Sequence, residues 1–425
     1  MKNKPYRICL LSYRSNPHCG GQGVYLRHLA CGLKNLGHHV DVISGPPYPD
    51  LPRDIRLIRL NSLDLYNPDN LFRTPQKHEL RSLVNLYEWL SVCSMGFPEP
   101  VSFGFRAYNY IRKKLQHYDI VHDNQSLSYG ILGISRKIPL VATIHHPMTV
   151  DRRIAIQTAP NFLRKIQAIR WYSFIGMQIR VAKRLKRIIT VSKSAAEDIH
   201  QEFSIPMNRF AVVPNGIDIH SFKPIPDIQR DPCRILTTNS ADMPLKGLRY
   251  LLDAMDVLRH QRPVHLYVVG SPKPNGVIEN YIKQKQLQIC VHFLGRIDQQ
   301  TFNMQYAKAG MAVVPSLYEG FGLPAGEAMA CAAPLISTRG GALPEVVGDS
   351  GILIKPGSTK ELVENIQYLV DHPETAEKIG RKGFKRVHQE FTWEKAAERV
   401  VEVYSDLLDE IKGDHLMKKV LKKVR

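Results

Sequence analysis

One grammar, stated twice, constrains this chain more than any other feature: a short continuous apolar run, a turn, and a longer run with helical spacing. "RICLLSY" leads to "GVYLRHLACGLKNLG" and "HVDVISG", and "YDIVHDNQ", "PLVATIHH" and "RIITVSKSAAEDI" follow. Apolar runs this short suit strands buried on both faces, and strands alternating with helices make a parallel sheet covered on both sides. The turn phrase "VVPNGID" and the proline-rich "FKPIPDIQRDPC" then read as a linker. Beyond it the grammar restarts with "RILTTNS", "KGLRYLLDAMDVLRH", "VHLYVVG", "CVHFLGR", "MAVVPS", "PLISTR" and "GILIK". At 425 residues the chain can bury two cores. The expected fold class is therefore α/β, with two doubly wound, Rossmann-like domains at 1–215 and 216–395 and a closing helix with a basic tail at 396–425. That helix, "FTWEKAAERVVEVYSDLLDEIKG", sets Trp393, Ala397, Val400, Val401, Tyr404 and Leu408 at helical spacing.

The second half carries the densest chemistry. "MAVVPSLYEGFGLPAGEAMACA" reads strand, loop, helix, with Pro324 suited to the first helical turn. Glu327 is expected at the helix start, where the macrodipole favours a carboxylate. Glu319 falls at the carboxyl end of the strand, where open α/β sheets bind ligands. Gly320 and Gly322 let the backbone approach a ligand, with the N–H groups of the helix start facing it. Carboxylates only accept hydrogen bonds, so the natural partners of Glu319 and Glu327 are hydroxyl donors such as sugar or ribose diols. The same pattern also serves a plain dipole contact and a tight turn.

Three further features are individually weak. "CGGQGVYLRHLACGL" puts Gly20, Gly21 and Gly23 between a strand and a helix, as a phosphate would need, yet the spacing is not GxGxxG and a structural turn accounts for it equally. "SADMPLKGL" sets Lys246 before a helix, where an ammonium can stabilise a departing diphosphate or simply be solvated. "VATIHHP" ends a buried strand in His145 and His146, suited to a substrate hydroxyl, a metal or a structural role. No HExxH or DxD phrase occurs, so no metal and no cofactor is expected.

Lys and Arg number 58 against 39 Asp and Glu, so the surface attracts phosphate-bearing substrates, anionic membranes or nucleic acid. No recognised RNA or DNA module is present, so nucleic acid is not an expected partner. Arg152 to Arg187 mixes basic residues with Phe162, Trp171, Tyr172 and Phe174, a composition that suits an anionic membrane surface or a solvated helix with its aromatics turned inward. The tail "HLMKKVLKKVR" is a second basic segment. The cysteines are dispersed without a CxxC pair, and no apolar stretch is long enough to cross a membrane, so a cytoplasmic protein with reduced thiols is expected, at most peripheral on the inner face of the cell membrane.

Together "GGQGVYLRHLACGLKNLGHHVDV", "VATIHH", "TVSKSAAEDI", "VVPNGID", "PLKGL", "LYEGFGLPAGEAMACAAPLI" and "GGALPEVVG" resemble, in order and over nearly the whole chain, the group 1 family of retaining, nucleotide-sugar glycosyltransferases with GT-B architecture. The resemblance implies two domains facing a cleft, the first binding the acceptor and the second the nucleotide sugar, and a final helix packing back on the first. It implies His145, Lys246 and Glu319 as catalytic residues. It implies donor contacts from Gly20, Gly21, Ser240, Lys246, Glu319, Gly320, Phe321, Gly322, Leu323 and Glu327, with Glu327 on the ribose. The family's usual arginine before the lysine is missing: "TTNSADMPLKG" offers Asn239, Ser240 and Asp242 instead. Diphosphate neutralisation then rests on Lys246 and backbone amides. The implied partners are a nucleotide sugar, UDP first and GDP next, and a glycan, lipid-linked or small-molecule acceptor.

Overall fold

The structure, a computed structural model, describes residues 4–16, 21–67, 69–238 and 243–423. Among these residues one unit takes in the chain up to Val191, Ala195–Val213 and the C-terminal helix from Ala396, and a second takes in Ser192–Ser194 and Pro214–Lys395. In the first unit seven strands, β1 (Arg7–Ser12), β2 (His39–Ser44), β3 (Arg56–Arg59), β4 (Ile120–Asn124), β5 (Leu140–Ile144), β6 (Arg187–Thr190) and β7 (Phe210–Val212), form a parallel sheet in the order β3-β2-β1-β4-β5-β6-β7. In the second, β8 (Asp231–Thr238), β9 (His265–Val269), β10 (Val291–Gly295), β11 (Ala309–Val314), β12 (Leu335–Thr338) and β13 (Ile352–Ile354) form another in the order β10-β9-β8-β11-β12-β13. Every residue of β4, β5, β11 and β12 is buried, as strands covered by helices on both faces must be. The order reverses between β1 and β4 in the first sheet and between β8 and β11 in the second, and at such switch points the strand ends open toward ligands.

Two edge strands escaped the sequence pattern. β3 is "RLIR" and β7 is "FAV", short, with no fully buried residue, so neither shows the apolar signature of the central strands. The segment read as a linker is anchored within the second unit. Phe222 packs edge-on against Phe302 at 5.4 Å, and the Arg230 guanidinium donates to the carbonyls of Tyr306, Ala309 and Cys331 at 2.6–2.9 Å. Its last residues, Asp231 to Cys233, already belong to β8.

The closing helix runs Trp393–Lys423. Its buried stripe is Trp393, Ala396, Ala397, Val400, Val403, Tyr404 and Leu407, whereas Val401 and Leu408, expected on that face, are half-exposed. From Ala396 onward this helix belongs to the first unit, and the Tyr404 hydroxyl lies 2.6 Å from His122 Nδ1 of β4.

The basic Arg152–Arg187 segment divides into the helices Met148–Gln157, Phe162–Trp171 and Ile175–Ala182, with a short turn at Tyr172–Phe174. Its aromatics also divide. Trp171 stacks on Phe97 at 5.1 Å and Phe174 is buried, while Phe162 and Leu163 are 74% and 75% exposed. Among the described residues no helix is long and apolar enough to cross a membrane. The six cysteines described are free thiols.

Candidate active site

In the second unit, the loop after β11 and the turn after β8 converge. β11 stops at Val314 and the chain turns through Ser316–Gly322 into the helix Leu323–Ala330. Gly322 caps that helix in a left-handed conformation at φ +99°, where an added Cβ would fall 2.6 Å from Leu343 Cδ2. Pro324 lies in the first turn as its missing N–H allows. Glu327 is the helix's fifth residue, one turn beyond the start at which the sequence reading put it, because left-handed Gly322 lets the helix begin at Leu323. The macrodipole therefore acts on Glu327 more weakly than expected. Burial, and then the charge of Asp218, push its carboxyl up to about 7.

The turn Pro244–Lys246 is tied to this loop by Leu317 N–H, which donates to Leu245 O at 2.7 Å. That contact brings Lys246 Nζ to 2.7 Å from Glu319 Oε1, which also accepts from Ser316 Oγ at 2.8 Å. The Glu319 side chain is only 11% exposed and that of Lys246 32%, so the pair is shielded from bulk water more than a surface salt bridge is. The "GGALPE" phrase backs the loop. Ala342 N–H donates to Glu319 O at 2.9 Å, and Gly341, at φ +60°, sits where a Cβ would fall 2.3 Å from that same oxygen. The Phe321 side chain is buried, edge-on to Phe391 at 5.9 Å. Lys246, Glu319 and the 320–323 backbone are thus brought together with Ser316, which the sequence did not single out. Ser240 lies outside the described residues, as do Asn239 and Asp242.

In the first unit the helix Gly21–Asn35 opens at Gly21, and Gly20 lies outside the described residues. Gly23 is the closely packed glycine here: a Cβ on it would fall 2.3 Å from Asn16 O. His145 and His146 follow β5 and differ in their partners. His146 Nε2 pairs with Asp151 of the next helix at 2.9 Å, whereas His145 Nε2 lies 2.8 Å from Asn124 Oδ1. Burial, then the neighbouring His146 and His122, push the His145 pKa down to about 3, so its ring is neutral at physiological pH. Tyr25 stands edge-on to that ring at 4.7 Å, and its hydroxyl lies 2.9 Å from Thr143 Oγ1, which in turn lies 2.7 Å from His122 Nε2. Through His122 this network reaches Tyr404. Sequence reasoning missed it, although "VHDNQ", polar residues closing an apolar strand, is a usable signal. Among the described residues no three His, Cys, Asp or Glu side chains gather as metal ligands.

Comparison with known proteins gives the class. Residues 19–221 match Glycosyltransferase Family 4 and residues 232–372 match Glycosyl transferases group 1. The chain belongs to this family of nucleotide-sugar-dependent glycosyltransferases and is an enzyme of that class. It is 42% identical over 403 residues, 94% of this chain and 97% of the relative, to the MMP alpha-(1->4)-mannosyltransferase of Mycolicibacterium hassiacum. An uncharacterised glycosyltransferase of Methanocaldococcus jannaschii is 25% identical over 94% of this chain and 97% of its own length. Among solved structures, the sucrose-phosphate synthase of Thermosynechococcus elongatus aligns with a TM-score of 0.72 at 24% identity, covering 95% of this chain and all of that one (100%). Anabaena HepE, solved in complex with UDP and glucose, aligns at 0.67 and 19% identity over 94% of this chain and 99% of its own. These structural likenesses establish the GT-B fold.

Proposed function

We propose that the chain transfers a mannosyl residue from a nucleotide diphosphate sugar to a hydroxyl of a saccharide acceptor, with retention, in an α-(1→4) linkage. The observation that carries the donor half is the cluster after β11: a lysine, a shielded carboxylate and a left-handed helix entry at the carboxyl edge of a parallel sheet. The sugar, linkage and acceptor class rest on the similarity to the mannosyltransferase of M. hassiacum.

In this reading Glu327 accepts from the ribose hydroxyls, and the first-turn N–H groups near Leu323 meet the phosphates. Lys246, held by Glu319, meets the negative charge that grows on the diphosphate as the glycosidic bond breaks, so it acts on the transition state more than on the ground state. Ser316 fixes Glu319 Oε1 and leaves the other carboxylate oxygen for a sugar hydroxyl. His145, a neutral ring, accepts from another sugar hydroxyl. The acceptor hydroxyl attacks from the face the diphosphate leaves, its proton departing with the phosphate. Incubation with UDP-mannose and GDP-mannose and a mannoside acceptor tests the reading. An α-(1→4) product from one donor supports it, and turnover with glucose donors alone would redirect it to another sugar.

A second reading concerns location. Phe162, Leu163, Ile166 and Ile169 are exposed on one helix that also carries Arg164 and Lys165, an apolar stripe with adjacent cations that fits an anionic lipid surface. We propose peripheral membrane contact through this face.

A further inference from the structure

We infer that Asn124 and Gln125 are positioning residues that hold His145 as the tautomer protonated on Nε2, leaving Nδ1 as a hydrogen-bond acceptor for a substrate hydroxyl. The inference rests on the proposed role of His145 for its purpose, but its structural content stands on the first unit alone.

The chain of donors and acceptors has one consistent solution. Asn124 lies within 3.1 Å of Gln22 O through its Nδ2, and a backbone carbonyl only accepts, so the NH2 end of the amide must face it. Asn124 Oδ1 is thereby turned to His145 Nε2 at 2.8 Å, and a carbonyl oxygen again only accepts. Nε2 must carry the proton. A neutral imidazole carries one N–H, so Nδ1 is left with a lone pair. Such a ring greets a group that donates, an O–H, and has nothing to offer one that only accepts, such as a phosphate oxygen.

Gln125 fixes the backbone on which this ring is mounted. Its Oε1 accepts from His145 N–H at 2.8 Å and its Nε2 donates to His146 O at 3.0 Å, so one amide spans both histidine peptides as a neighbouring strand would. The loop presenting these two side chains is itself over-determined. Gln125 and Leu127 hold left-handed φ values of +56° and +47°, uncommon for residues with a Cβ. Asp123 accepts from Ser126 Oγ and from Leu127 N–H, and Gln178 Nε2 donates to Gln125 O at 3.0 Å. Residues in such conformations persist where their surroundings force them, and they concentrate at functional sites. The edge-on Tyr25 ring then sets the plane of the imidazole, and burial keeps the ring uncharged.

The test is long-range 15N–1H NMR of the full chain with labelled histidine, in wild type and Asn124→Leu, alongside steady-state kinetics. We expect His145 in the wild type to show a protonated Nε2 and a bare Nδ1. In Asn124→Leu the proton should spread over both nitrogens, and kcat/KM should fall tenfold or more. A wild-type spectrum with the proton on Nδ1, or an unchanged pattern in Asn124→Leu, overturns the inference. The wild-type spectrum decides the tautomer by itself should the variant fail to fold. The expected spectra with normal turnover of His145→Ala would uphold the positioning and sink the proposed role of His145 instead.

Discussion

Glu327→Gln should stabilise the protein at alkaline pH while disabling it. The carboxyl ionises at about 7 in the folded chain against an ordinary value of 4.5, chiefly because burial penalises its charge. Below pH 4.5 both states hold the proton and there is no penalty. Between 4.5 and 7 the folded state binds more protons than the unfolded one, so stability falls as pH rises, and above 7 the loss is complete. The difference of 7 − 4.5 = 2.5 units, at about 1.36 kcal/mol each, sets a ceiling of roughly 3 kcal/mol. Glu327 keeps some solvent contact, so screening brings the expectation to about 1–3 kcal/mol. The amide is nearly isosteric and carries no charge, so the variant should lack this loss. In calorimetric scans its melting temperature relative to wild type should be higher at pH 8 than at pH 5, by about 2–4 °C per kcal/mol for a unit of this size. Equal offsets at the two pH values would refute the claim that a buried charge is held here against a stability cost.

Lys246→Ala should lower kcat by about 10²-fold or more with a smaller change in KM, because the charge it meets grows as the bond breaks; unaltered kcat in steady-state assays would remove it from the mechanism. Gly341→Ala should cost more than the ordinary effect of a loop substitution, about 1–3 kcal/mol, since its φ of +60° and the 2.3 Å approach to Glu319 O both oppose a Cβ. Urea titration would show it, and a neutral result would mean the loop adapts. The chain should co-sediment with anionic vesicles at physiological salt and lose this on Phe162→Ser/Leu163→Ser substitution; equal partition onto zwitterionic vesicles would dismiss the membrane reading.

The central strands were legible because each is a continuous apolar run, and "EGFGLPAGE" was legible as a strand-to-helix turn from its glycines and proline, while its carboxylates alone fitted a plain dipole contact as well as a ligand. β3 and β7 were not, since half-exposed edge strands share no such signature. Nor could spacing reveal that Lys246 and Glu319, 73 positions apart, would meet at 2.7 Å, which depends on β8 and β11 pairing side by side. The resemblance to known transferases implied a place for each at the donor, not their contact. The Asn124–His145 contact is of the same kind: the registry of β4 on β5 creates it, and a single chain read linearly shows only two polar strand ends. In the basic segment the division of the aromatics was hidden for a related reason. Composition placed Phe162, Trp171, Tyr172 and Phe174 on one footing, whereas Trp171 stacks half-buried on Phe97, Phe174 is buried and Phe162 is left outside.

The most direct test of the donor-site account is isothermal titration of wild type and Glu327→Ala with UDP, GDP and their mannose conjugates in the presence of a chelator. The account predicts that one nucleoside diphosphate series binds the wild type without metal and that Glu327→Ala weakens it by about 10- to 100-fold, the worth of hydrogen bonds to a charged acceptor. A folded wild type that binds neither series, or a Glu327→Ala variant that binds as tightly as wild type, would contradict it.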